Sequence, residues 1–129
     1  MAIKPFAAGV LATLAFTSSP SFADNKAGFK QKGVATYYAD RFHGRKTASG
    51  ERYDKSAMTA AHRTLPLGTV VKVTNVKSGD SIKVEINDRG PFVKGRVLDL
   101  SRRAAQELGI TGAGRAQVNI EVVAANDDA

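Results

Sequence analysis

The stretch "SIKVEINDRGP", residues 81–91, decides the architecture. Ile82, Val84 and Ile86 alternate with Lys83 and Glu85, the period of a strand with one buried face. The pattern stops at Asp88-Arg89-Gly90-Pro91, because Pro91 brings no amide hydrogen to a ladder. An acid is therefore held where the strand ends, at the rim of the sheet it joins. The same alternation recurs at Val71 and Val73 in "TVVKVTN" (69–75) and at Val118, Ile120 and Val122 in "AQVNIEVV" (116–123). "VKSGD" (76–80) reads as a hairpin connection, with Gly79 free to take positive φ. "GVATYY" (33–38) and "RVLDL" (96–100) are further short strands.

One helix stands against these strands. In "SRRAAQELG" (101–109) Ser101 is an N-cap, Ala104, Ala105 and Leu108 fall at helical spacing, and Gly109 is the stop. Five or six short strands and one short helix predict a mainly β fold, a closed barrel with the helix over one side.

The ends of the chain read differently. Lys4, the uncharged run Pro5 to Phe16, and small residues at Ser21 and Ala23 predict a signal peptide over residues 1–23. Twelve apolar residues are short for a bilayer span, so the reading is export and cleavage, with no membrane anchor afterwards. Residues 24–32 read as a flexible leader, 33–123 as one domain and 124–129 as an acidic tail. Loss of Lys4 takes the net charge from +7 to +6. The chain has no cysteine, which excludes disulfides, thiol catalysis, thiolate metal sites and a lipid attached through cysteine. A soluble, monomeric protein of the bacterial periplasm is the expectation. Its basic residues are scattered, and export argues against nucleic acid as a partner. What is left is either a solvated basic surface or attraction to an anionic wall polymer.

Chemistry falls to carboxylates. No serine lies in a G-x-S-x-G setting. His43 and His62 lack metal-ligand spacing, so no metal and no cofactor is expected. Asp88 sits at the rim, Glu51 follows Gly50 in the loop "KTASGERYD" (46–54), and Asp99 lies inside "VLDLS" (97–101) just before the helix. Three acids at element ends suit an acid/base site. Each also has a plainer reading. Asp88 caps its own turn or pairs with Arg89 or Arg45; Glu51 is a surface acid; Asp99 bonds the amides at the helix start. His62 and His43 are equally well structural. Tyr37 and Tyr38 alternate, so one packs inward and the other offers a ring at the rim. Tyr38, Arg89 and Asp99 are the candidate substrate-binding residues.

The blocks "GVATYYADRFHGRKTASGERYD" (33–54), "MTAAHRTLPLGTVVKVTN" (58–75), "INDRGPFVKGRVLDLS" (86–101) and "AAQELGI" (104–110), in that order, resemble the rare lipoprotein A family. The resemblance spans nearly all of residues 33–123. It implies a six-stranded double-psi β-barrel related to expansins and to one group of endoglucanases. It also implies an endolytic peptidoglycan lytic transglycosylase, cutting between N-acetylmuramic acid and N-acetylglucosamine, preferring strands without stem peptides and leaving 1,6-anhydro-muramyl ends. Carried over by motif, Glu51 in "ASGE", His62 in "TAAH" and Asp88 in "NDRGPF" are the catalytic residues. The expected roles are Asp88 as acid/base and Glu51 as supporting carboxylate, or the two acids exchanged, with His62 as an orienting or charge-tuning group, while Asp99 in "DLS" resembles the expansin-type acid and is the rival for general acid. The alternative is a non-catalytic, expansin-like module that binds wall glycan. Two departures stand out. There is no lipoprotein cysteine, and the expectation from residues 124–129 is a tail in place of the C-terminal glycan-binding domain that many members carry.

Overall fold

The stretches of period two form the strands expected of them. The computed structural model describes residues 28–123; the signal peptide, most of the leader and the tail lie outside the described residues. In chain order the elements are β1 (Lys30–Tyr37), β2 (Thr59–Ala61), β3 (Val70–Asn75), β4 (Ser81–Asp88), β5 (Arg96–Leu100), α1 (Arg102–Leu108) and β6 (Ala116–Val123), with a 3-10 turn at Asp40–Phe42. The strands close into a barrel in the order β1-β5-β2-β4-β3-β6. Two neighbouring pairs, β1 with β5 and β2 with β4, run parallel, and the other four run antiparallel. This is the closed, mainly β barrel with one helix that the sequence predicts.

The barrel's interior is filled by the alternating residues. Val71 and Val73 of β3 face Val84 and Ile82 of β4 in register, and Ile120 of β6 lies opposite Val73. Val71, Val73, Val84 and Ile120, together with Ile86, Leu98, Leu100 and Val118, make a core from which water is almost wholly excluded, and Ile82 packs against it half-buried. Burying each such side chain is worth roughly 1.5–3 kcal/mol relative to exposure. Outward positions are polar, and Lys72 lies opposite Glu121 across β3 and β6, an opposite-charge neighbour that favours this register.

α1 ends as its sequence requires. The Ser101 side chain accepts a hydrogen bond from Ala104 N, and Gly109 closes the helix in the left-handed region at φ 80°. Ala104, Ala105 and Leu108 are buried. Gly79 takes φ 84° in the β3–β4 turn.

One boundary differs from expectation, and one strand has no pattern of its own. β1 opens at Lys30, inside the stretch read as leader, and Lys30, Gln31 and Lys32 pair with Glu121, Ile120 and Asn119. Their side chains are polar because this end of the strand is half-exposed; the backbone alone holds it to β6. The sixth strand, β2, is three residues long and too short to show any period. Gly33 is needed for close approach: a Cβ there would lie 2.5 Å from Val97 Cγ1 of β5. Just beyond, the register between β1 and β5 shifts at Val34/Ala35. This irregularity lets β1 deliver Tyr37 and Tyr38 to the rim.

Candidate active site

β1, β4 and β5 each bring one polar group to the same groove. β1 delivers Tyr38, whose amide still bonds Leu100 O at 3.0 Å. β4 delivers Asp88, and β5 delivers Asp99. The three side chains line one open groove of about 310 Å³. Its far wall is the arm formed by residues 44–53, a small hairpin in which Lys46 bridges Arg52 and Thr47 N bonds Glu51 O at 2.8 Å.

Asp88 is the most completely held of the acids. Its Oδ1 accepts from the amides of Ala48 and Arg89, both at 2.9 Å, and its Oδ2 accepts from the Tyr38 hydroxyl at 2.5 Å. The expected partnership with an arginine is met by the Arg89 backbone; among the described residues no ion pair involves Asp88. Oδ1, held by two amides, can only accept. Oδ2 faces a hydroxyl, which can donate or accept, so it is the oxygen free to exchange a proton without losing its partner.

Tyr38 is itself fixed by aromatic contacts. Its ring stacks on Tyr53 with centroids 4.4 Å apart and planes 19° apart, and it meets the edge of Phe42 at 6.1 Å. Burial first, then the hydrogen bond and charge of Asp88, push the Tyr38 pKa well up. The phenol therefore stays protonated beside Asp88 throughout the neutral range. Burial also raises the Tyr53 pKa. Tyr37 and Tyr38 both line the groove, and Tyr38 is the one that meets Asp88. Tyr37 donates its hydroxyl to Thr111 O at 3.1 Å.

The other predicted site residues divide. Glu51 is exposed and tied to the site through its neighbours: its Oε1 accepts from Asn87 Nδ2 at 3.3 Å and from Ser49 Oγ at 3.4 Å. It stands on the same arm whose Ala48 amide holds Asp88. His62 is placed otherwise. It is 3% exposed, and its Nδ1 accepts from the amides of Thr64 and Leu65, both at 3.1 Å. Nε2 faces Gln31 Oε1 at 2.8 Å, and Phe29 meets the ring edge-on. With both ring nitrogens engaged away from the groove, His62 acts through the backbone: its amide bonds Asp88 O at 3.1 Å.

Arg89 lines the groove, but one end of its guanidinium is directed at protein carbonyls, with NH1 bonding Leu65 O at 2.7 Å and His62 O at 3.1 Å. This anchors the β4 terminus. Asp99 does not bond the amides at the helix start, a role Ser101 fills. It accepts from the Thr36 hydroxyl and from Arg96 NH2 at 3.2 Å, so it is a paired acid on the groove's side wall. The Tyr38–Tyr53 stack and Asn87 were not singled out from sequence. Each joins residues far apart in the chain, and no local pattern marks such a contact.

Comparison with known proteins agrees with this geometry. A family described as "Lytic transglycolase" matches residues 30–120. The chain is 55% identical over 97 residues to a Neisseria meningitidis protein named "Endolytic peptidoglycan transglycosylase RlpA", covering 75% of this chain and 41% of that one. It is 52% identical over 99 residues to the Vibrio cholerae protein of the same name, covering 77% and 38%. The chain thus spans about two fifths of these relatives' length. Among solved structures, a Streptomyces papain inhibitor superposes with TM-score 0.61 at 27% identity, covering 75% of this chain and 96% of that one. A Clavibacter michiganensis expansin superposes with TM-score 0.58 at 24% identity, covering 74% and 50%, a likeness of fold. With the double-psi barrel, the rim carboxylates and the match over residues 30–120 in agreement, the chain belongs to the lytic transglycolase family.

Proposed function

We propose that this domain is an endolytic peptidoglycan lytic transglycosylase, acting after export to the periplasm as a soluble monomer. Its substrate is the glycan strand of the wall, best when stripped of stem peptides. The observation that carries the reading is Asp88 at the mouth of an open groove, with Oδ1 fixed by two amides and Oδ2 against the Tyr38 hydroxyl. The names of the relatives support it. Among the described residues no helix is long and apolar enough to cross a membrane.

In this reading Asp88 carries a proton on Oδ2, with Tyr38 Oη accepting from it. Asp88 gives that proton to the oxygen bridging N-acetylmuramic acid and N-acetylglucosamine as the C1–O bond breaks. While Asp88 is a carboxylate the Tyr38 hydroxyl donates to it; the muramyl C6 hydroxyl then attacks its own C1 and returns its proton to Asp88, and Tyr38 accepts again. The product is a 1,6-anhydro ring, and one carboxyl serves as acid and then as base. Positive charge that develops at C1 is met by the Asp88 carboxylate itself, with Glu51 on the arm as the supporting carboxylate. His62 and Arg89 hold the end of β4 in place.

Digestion of stripped glycan strands in water enriched in oxygen-18, followed by mass spectrometry, tests this. The expected products end in 1,6-anhydro-muramic acid and carry no solvent oxygen. Reducing ends that incorporate oxygen-18 would make the enzyme a hydrolase. Binding without any cleavage would favour the expansin-like module instead.

A further inference from the structure

The groove is lined by four cations and two carboxylates, and the cations are not equivalent. Arg96 is paired with Asp99 at 3.2 Å and also bonds Thr36 Oγ1 at 2.8 Å. Arg89 bonds carbonyls at the end of β4. Arg45 and Lys46 form no ion pair among the described residues. Both are exposed, and Arg45 has its guanidinium 5.1 Å from the Phe42 ring centroid.

These two cations are held on a firm support. The backbone around them is pinned by Gly44 N to Tyr53 O at 2.8 Å, Tyr53 N to Arg45 O at 2.7 Å and Arg45 N to Phe42 O at 2.9 Å. Two residues further on, Ala48 N binds Asp88 itself. The distance between the unpaired cations and the acid is therefore set by one short, braced piece of chain. A substrate group that meets Arg45 and Lys46 must lie close to the bond that Asp88 serves.

We propose that Arg45 and Lys46 form an anion subsite for the free lactyl carboxylate of muramic acid, and that this subsite makes the enzyme select stripped strands. The inference rests on the proposed function and deepens it. The lactyl ether is carried on C3 of the same sugar whose C1 reacts, so its carboxyl enters the groove with the scissile bond. That carboxyl is an anion only when no stem peptide is attached; with a peptide it is a neutral amide, and the charge fixed next to the reacting sugar is lost. The groove thus reads the presence of a peptide by the charge its attachment removes.

The test compares stripped strands with the same strands after their lactyl carboxyls are coupled to methylamine, a small neutral cap. Binding is read by fluorescence anisotropy of end-labelled strands, and cleavage by product analysis. Wild-type protein is expected to bind free strands about tenfold more tightly than capped ones, since an exposed ion pair contributes at most about fivefold. The difference should shrink as salt rises. Arg45→Gln/Lys46→Gln should bind both strands alike, at the capped level of wild type. Because Arg45 also lies over Phe42, Lys46→Gln alone, which disturbs no ring contact, should show about half of the loss on a logarithmic scale. Equal wild-type binding of free and capped strands would overturn the subsite, as would a double variant that keeps the wild-type preference. The two readings fail separately: absence of cleavage sinks the proposed reaction, whereas the free-minus-capped difference in binding reports the subsite alone.

Discussion

Replacing Tyr38 with phenylalanine removes one atom from the site and leaves its frame standing. The ring keeps its stack on Tyr53 at 4.4 Å and its edge contact with Phe42. What goes is the hydroxyl 2.5 Å from Asp88 Oδ2. A hydrogen bond to a charged group is worth about 1.5–3 kcal/mol, and each 1.36 kcal/mol of barrier is tenfold in rate. The expected loss in kcat on stripped strands is therefore about tenfold to a hundredfold, with KM little changed. The same loss applies to folding, so the melting temperature should fall by about 6 °C or more, since about 1 kcal/mol shifts a domain of this size by roughly 4–8 °C. Alkaline pH supplies an independent check. Burial and Asp88 raise the Tyr38 pKa, so the folded chain holds this proton more tightly than the unfolded chain. That contribution to stability is fully present below the ordinary tyrosine value near 10 and is lost as pH rises through the higher folded value. Tyr38→Phe should accordingly destabilise less steeply than wild type between about pH 9 and about pH 11, with the fall that remains including Tyr53. Steady-state kinetics and thermal melts by circular dichroism measure both effects. A variant with kcat within twofold of wild type would refute the role given to the Tyr38 hydroxyl.

Three further substitutions test other parts of the account. Glu51→Gln keeps an acceptor for Asn87 and Ser49 but removes an exposed charge, so kcat should fall by about fivefold or less, as product analysis on stripped strands would show. Ser101→Ala removes the α1 cap and the bond to Ala57 O at 2.5 Å, at a combined cost of about 2–4 kcal/mol; urea titration should show the midpoint falling with an unchanged slope. Gly33→Ala forces a methyl group to within 2.5 Å of Val97 Cγ1 and should cost about 1–3 kcal/mol by the same titration. Adding Val97→Ala should return part of that stability.

The legible parts of the fold were those written in local pattern. Ile82, Val84 and Ile86 announce β4, and Ser101 with Gly109 bounds α1 to the residue, because alternation and capping depend on neighbours in the chain. β2 was silent, since Thr59–Ala61 is held by partners on β4 and β5 rather than by any pattern of its own. Lys30 to Lys32 read as leader for a related reason: their pairing with β6 uses backbone groups, which every residue has. In the site, Asp88 was legible because a proline-stopped strand leaves its last acid at a rim. Its contact with Tyr38 spans 50 residues of chain and has no local signature. His62 came from family resemblance, which marks its position but not that its ring turns inward to the Thr64 and Leu65 amides. Asp99 looked equivalent to Asp88 in sequence, and only Thr36 and Arg96 distinguish them.

That distinction gives the most direct measurement. Single-turnover cleavage of stripped strands should be followed for Asp88→Asn and Asp99→Asn beside wild type, at a temperature where all three are folded by circular dichroism. Asp88→Asn retains an acceptor for the Ala48 and Arg89 amides but has no proton to deliver, so its rate should fall by about 10² to 10⁴. Asp99→Asn weakens the contacts with Thr36 and Arg96; it should lose about 1–3 kcal/mol of stability yet cleave within about tenfold of wild type. Full cleavage by Asp88→Asn together with a dead Asp99→Asn would contradict the account, moving the acid to β5 and leaving Asp88 as a structural clasp for the arm.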